Sequence, residues 1–294
     1  MTYYAQNPLD IESVNQQVLG RIAKDPELHW ALLIDTAFDY EQPHALPLHG
    51  VNCYDGQTAS GLADAAPWLL PLYAPGEAIE RTQSALQMWL KHCNRRPMLS
   101  IVASRKNAHQ IAADWRQLHF VKTGDSQQFL LRFADTRVLT TLPTLLTTQQ
   151  WAALSTPLMH WLTADRQGAL VAVAVAPVGT GAAPAPFELS NQQVAALTDA
   201  AEADAVINHL AENMEKIIPQ QIAPARFYAD IVHTLALAKQ YQLEHWPDKL
   251  ALITAACLTL GKSNKNPALI EILLQRRWYP GRLGEAMDVL GVVK

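Results

Sequence analysis

Apolar positions in the first part of the chain recur with two periods, and they predict strands and helices in alternation. A helical stripe near residues 10–24 precedes HWALLID (29–35), which predicts a buried strand. PWLLPLY (67–73) is equally apolar, but its two prolines suit an edge or a loop, because proline has no N–H for a ladder. Ile79, Ala85, Leu86, Trp89 and Leu90 form the next helical stripe, and MLSIVAS (98–104) the next strand. Asn107 is placed to cap a helix that carries Ile111, Trp115 and Leu118 on one face. FVKTGDSQQFLLRF predicts a hairpin turning at Gly124-Asp125. Two short helices, broken at Pro143 and near Pro157, lead to GALVAVAVA, a strand with valines on one face and alanines on the other.

PVGTGAAPAPF (177–187) has no charge and no periodicity, and reads as a linker. Beyond it the pattern is helical throughout. Tyr228, Ile231, Val232, Leu235 and Ala238 share one stripe; Leu250, Ile253, Thr254, Cys257 and Leu260 share another. Pro219, Pro224, Pro247, Pro267 and Pro280 fall between stripes, where helices begin. The expected fold is an α+β or α/β N-terminal domain with a small mixed sheet, followed by an all-α domain. The α/β domain is placed at 1–178, the linker at 179–189 and the helical domain at 190–294.

Composition narrows the function classes. With 294 residues, 49% of them hydrophobic, the chain can build a real core. The net charge is −4, and the last hundred residues carry ten Lys and Arg against eleven Asp and Glu, so the basic excess of a nucleic-acid binder is missing. The runs ALVAVAVAPV and LALITAACLTL are shorter than the roughly 20 residues that span a bilayer. The start, MTYYAQNPLDIES, has neither the basic nor the apolar region of a signal peptide. Cys53, Cys93 and Cys257 are too few and too scattered for a disulfide framework. The expectation is a soluble cytoplasmic protein that uses no cofactor or metal and meets neither membrane nor nucleic acid.

Candidate chemistry is sparse. LGKS (260–263) has the ending of a phosphate-binding loop, but Ala256 stands where the motif needs glycine and a helix precedes it; a helix end at Gly261 fits better. DGQTASG (55–61) is not a nucleophile elbow. His44 and His49 lack a third zinc ligand, and His92 and Cys93 point about 100° apart on a helix. Trp89, Trp115, Trp151 and Trp161 sit at core spacing. Arg276, Arg277 and Trp278, with Tyr279, form a basic-aromatic cluster at a helix end. It is either a dipole-favoured cation pair beside a packed indole, or a partner-binding patch of hot-spot residue types.

One stretch needs a reading of its own. FLLRFADTRVL (129–139) begins as a strand and turns into a helix at Asp135. Asp135 can accept the first-turn amide near Arg137, and Arg132 or Arg137 can pair with it or with Asp35 at the end of its own strand. An enzyme would bring an acid, a base and a nucleophile together. Only the acid is evident, so the stretch reads as a structural joint.

The order of ALLIDTAFD (31–39), PWLLPL, WLKHC, FLLRFADTRVLTTLPTLLTTQQWAAL and PLMHWL resembles the type VI secretion adaptor family, effector chaperones long catalogued as a domain of unknown function. Its signature, an apolar strand running into Arg-Phe-aromatic-Asp-Pro-Arg-Val-Leu, stands here as Arg132-Phe133-Ala134-Asp135-Thr136-Arg137-Val138-Leu139. Ala134 replaces the aromatic residue and Thr136 the proline; Arg132, Phe133, Asp135 and Arg137 are kept as structural markers. The resemblance covers roughly residues 29–166, and more loosely the helical tail. It implies a non-enzymatic cytoplasmic adaptor whose partners are a secreted toxic effector and the spike protein of the secretion tube. The competing readings are a small-molecule enzyme with a site in the interdomain cleft, using Asp35, Asp135 and Arg132, and a purely structural assembly subunit.

Overall fold

The computed structural model describes every residue except 1, 2, 41, 43, 44, 56–59, 125, 126, 290 and 292–294. His44, most of the 55–61 motif and the Asp125 turn position therefore lie outside the described residues. The chain divides into two units, one of residues 8–201 and one of residues 202–294 joined by residues 1–7.

The first unit opens with helix α1 (Ile11–Lys24), capped by Asp10, whose side chain accepts from Ser13 N at 3.1 Å. Then come β1 (His29–Asp35), the two-residue β2 (Val51–Asn52) and β3 (Pro67–Tyr73), followed by α2 (Glu80–His92), β4 (Leu99–Ser104) and α3 (Ala108–Trp115). Asn107 caps α3 in a reciprocal box with Gln110. The hairpin β5 (Phe120–Thr123) and β6 (Gln128–Leu130) forms as expected. Three short helices follow rather than two: α4 (Thr136–Leu139), α5 (Leu142–Leu145) and α6 (Thr148–Ser155). The unit closes with β7 (His160–Ala164), β8 (Leu170–Ala172), β9 (Glu188–Leu189) and the start of α7 (Asn191–Asn213).

The main sheet has the order β2-β3-β1-β4-β7-β8 and every neighbour is antiparallel, which makes the unit α+β. A small mixed sheet, β6-β5-β9, pairs β5 with β9 in parallel. Strand β1 is central. Its Ala31 and Leu33 join a core with Ile111, Trp115, Trp151, Leu154 and Trp161 from α3, α6 and β7. Leu32 and Ile34 alternate to the opposite face, also fully buried. There α2 packs on β3, and α1 on α2.

PWLLPLY is thus a full strand and not a loop, and it is an edge beyond the reach of β2. Its prolines are tolerated because β2 reaches only Trp68 and Leu69, leaving Pro71 on an open margin, and because the register shifts opposite it, between Trp30 and Ala31. GALVAVAVA is a strand over Leu170–Ala172, and Val173 N adds one more backbone bond, to Trp161 O at 2.8 Å. Beyond that, side chains hold the backbone: Trp151 Nε1 donates to Ala174 O at 2.8 Å, and Ala176 N donates to Ser155 Oγ at 3.0 Å.

The Pro-, Gly- and Ala-rich stretch does not separate the units, which divide inside α7. Val178 is 96% exposed, yet Ala183 N bonds Gln149 O at 2.9 Å and Phe187 is buried in the first unit's core. One backbone hydrogen bond and one buried ring fasten an otherwise featureless segment.

The second unit is all helical: the end of α7, then α8 (Pro224–Gln240), α9 (Trp246–Leu258), α10 (Pro267–Gln275) and α11 (Leu283–Val289). Prolines open α8, α9 and α10, as the sequence suggests. One core gathers Val206, Ile207, Leu210, Phe227, Ile231, Ile253 and Cys257 with Ala5. A second gathers Leu237, Leu252, Leu269, Leu273, Leu283 and Met287. After α9 the chain turns at Gly261, φ +76°, where an added Cβ would lie 2.8 Å from the Asp230 carboxylate. Among the described residues no helix is long and apolar enough to cross a membrane.

Candidate functional site

The joint at residues 132–137 lies where the end of β1 meets the start of α4. Asp135 is buried and caps α4, its Oδ1 accepting from Arg137 N at 3.0 Å. The same carboxylate takes Arg137 Nε at 3.0 Å and Nη2 at 2.7 Å, a two-pronged pair. Arg132 Nη2 meets Asp35 Oδ2 at 2.8 Å, and Asp35 also caps a short 3-10 turn through Ala37 N. Both guanidinium carbons lie over the Phe38 ring, at 5.4 Å for Arg132 and 5.3 Å for Arg137. Backbone bonds close the corner: Asp35 N to Met98 O at 2.9 Å and Thr136 N to Pro97 O at 3.0 Å.

Asp39 brings a third carboxylate. It accepts from His92 Nε2 at 2.9 Å and pairs with Arg96 Nη2 at 2.8 Å, and Arg96 also reaches Phe38 O. Burial alone would push the Asp39 carboxyl up, but the bonds and charge of His92 and Arg96 pull it below the usual range. Burial raises Asp35, against the pull of Arg132 and with a further push from the Asp135 charge. The corner thus holds three acids and three arginines, each acid spoken for by a cation. The arrangement can lock a strand end to a helix start.

Phe133 anchors the joint to the core. It is fully buried, edge-on to Trp115 at 5.1 Å, and stacked at 4.8 Å on His119. His119 has no exposure, and neither ring nitrogen has a hydrogen-bond partner among the described residues. Burial lowers its pKa from 6.5 to about 3, so it is neutral at pH 7. Tyr54 lies edge-on to it at 4.9 Å. The three cysteines are free and buried; burial pushes the Cys53 and Cys257 thiols up to about 12, which makes them poor nucleophiles. No group of three or more His, Cys, Asp or Glu side chains that could hold a metal occurs among the described residues.

The 276–278 cluster lies in the helical unit and divides by role. Arg276 ends α10 in the left-handed region, φ +48°, and its Nη2 bonds Tyr241 O at 3.2 Å and Gln242 Oε1 at 2.9 Å. Trp278 is half-buried against the second helical core, with Nε1 3.3 Å from Asp248 Oδ2. Buried Asp248 also receives Gly281 N at 2.8 Å and Leu283 N at 2.9 Å, so one carboxylate fastens the segment between α10 and α11 to the start of α9. Arg277 is exposed and makes no hydrogen bond or ion pair among the described residues. Beside them lies a cavity of about 300 Å³, whose lining mixes charges: Glu244 and Asp248 with Arg276, next to Tyr241, His245 and Trp278.

Sequence reasoning found the acids and arginines of the joint but missed Asp39, His92 and Arg96, whose partners lie 53 residues or more apart, and it missed His119. No local pattern encodes such contacts.

Residues 30–153 match the model of a family described as Domain of unknown function (DUF4123). The match contains the whole Arg132–Leu139 signature and stops short of both PLMHWL and the helical tail. No curated protein and no solved structure matches the chain.

Proposed function

We propose that the protein is a non-enzymatic cytoplasmic adaptor that binds a type VI secretion effector and loads it onto the spike protein of the secretion tube. The observation that carries this reading is the family match over residues 30–153, on the stretch whose motif order resembles those adaptors. The saturated joint supports it: Asp35, Asp39, Asp135, Arg132, Arg137 and Arg96 are committed to one another and are not arranged around an open reacting position. The exposed Arg277 and Tyr279, beside half-buried Trp278, are residue types that anchor protein interfaces.

One feature favours an enzyme instead. Asp35 and Arg132 do come together, and burial raises Asp35 in the manner of a general acid. An enzyme of that kind would lose turnover with Asp35→Asn while its partners still bound.

The adaptor reading is tested by deleting the gene. Export of the cognate effector should stop while the apparatus still expels its tube protein. Undiminished export of every effector would contradict it.

A further inference from the structure

Helix α8 starts without a cap of its own. Pro224 has no N–H, so Ala225 carries the first amide in need of an acceptor, and Ala223 before them has no side-chain oxygen to offer. The acceptor comes from 218 residues away: Ala225 N donates to Asn7 Oδ1 at 3.0 Å. Two residues before Asn7, Ala5 is buried among Val206, Ile207, Phe227 and Ile231. Two residues before that, the Tyr3 ring lies 6.1 Å from the Phe227 ring, tilted by 53°. Tyr3, Ala5 and Asn7, at every second position, thus serve the helical unit with which they are grouped, although residues 3–7 form neither helix nor strand.

These contacts have the build of a bound peptide rather than of a core element. Ala5 gives the core a single methyl; its other buried members among the described residues lie at 203–257 and pack on one another, largely across α7, α8 and α9. The groove therefore keeps its walls when the segment leaves. Ala5 is held left-handed, at φ +49°, a conformation that costs any residue with a Cβ, so the segment docks under strain. Its root is fixed: Leu9 is buried, and Leu9 N donates to Asn94 Oδ1 at 2.8 Å within the first unit. A segment strained in its middle and anchored at its root can leave the groove and return without diffusing away.

We propose that residues 3–7 are a removable strap on a peptide-binding groove of the helical unit. Release uncovers Phe227 and frees the Ala225 amide. The groove then takes an extended segment of the same chemistry: an aromatic residue, a small residue two positions on, and a side-chain acceptor, Asn or Asp, two positions after that. The groove and its occupant stand on the contacts of this chain with itself; only its use for a secreted effector rests on the adaptor reading above.

The test titrates a synthetic peptide of residues 3–9, labelled at its C-terminal end, against full-length protein by anisotropy, with circular dichroism and thermal melting of every variant. Ala5→Asp puts a charge where the core receives a methyl and should expel the strap. Tyr3→Ala combined with Asn7→Ala loosens the strap without burying a charge, and decides the matter if Ala5→Asp alone is unfolded. Each variant should stay folded and bind the peptide about tenfold or more tightly than wild type, whose tethered strap competes. A peptide carrying Asn7→Ala should bind about tenfold more weakly, through loss of one hydrogen bond to the α8 amide. Two unfolded variants, folded variants that take up no peptide, or equal binding to wild type would overturn the strap, leaving residues 3–7 a fixed part of the core. Failure of the adaptor reading looks different: the chain's own peptide would bind as described while no effector or spike protein associates with the chain.

Discussion

Asp135 does two jobs with one carboxylate, capping α4 and holding both prongs of Arg137. Losing a cap alone costs about 1 kcal/mol, and the charge-assisted bonds add to that. Because Arg137 keeps a quarter of its side-chain exposure, water recovers part of the loss, so Asp135→Ala should destabilise by about 2 kcal/mol in urea titration. A loss under about 0.5 kcal/mol would mean the joint is ornamental. His119 is the opposite case, a buried polar ring with no hydrogen-bond partner among the described residues. Its folded pKa of about 3 lies below the ordinary 6.5, so between those values the unfolded chain binds the extra proton. This residue therefore withdraws stability as pH falls from 6.5 toward 3, with a slope approaching about 1.4 kcal/mol per pH unit. His119→Phe keeps the stacking on Phe133, should be at least as stable as wild type at pH 7, and should flatten that acid limb. An unchanged limb would show that another group causes it.

Elements were legible in the sequence where pattern and caps agree. Asn107, the 120–130 hairpin and the proline-started helices α8, α9 and α10 are each encoded within a few residues. For strand β3 the prolines left edge and loop open; it is a strand whose Pro71 lies on an uncovered edge, because β2 covers only two of its residues. Strand β7 was missed because its short run carries little alternation and is buried on both sides, between β4 and β8. The pairing of Arg132 with Asp35 could be read because both mark strand ends; the trio of Asp39, His92 and Arg96 could not, since only the folded chain brings them together. Two elements carry predictions. Gly261→Ala forces a side chain into a left-handed turn and against Asp230, and should cost about 2 kcal/mol in chemical denaturation. Asp248→Ala leaves Gly281 N and Leu283 N without their acceptor, so these two amides should exchange hydrogen faster while α8 stays protected. Unchanged protection there would show that the carboxylate does not hold the segment.

Across the whole chain, an α+β unit is followed by an all-helical one, as periodicity suggests; that the main sheet is six-stranded and antiparallel, and not small and mixed, could not be read from the pattern. The boundary was harder to see. Residues 177–187 look like a linker because they lack period and charge, but burial of Phe187 and the bond from Ala183 N bind them to the first unit. A protease should cut near Val178–Gly181, and the nicked chain should stay assembled through β9 on β5; immediate loss of residues 182–294 would contradict that packing. We propose that the chain carries other proteins and does not catalyse a reaction. The most direct test of this proposal is affinity purification of the tagged full chain from its own cells, with the bound proteins identified by mass spectrometry. The account predicts that a secretion-spike protein and a toxin encoded beside it co-purify in defined stoichiometry. Recovery of the chain with neither would contradict it.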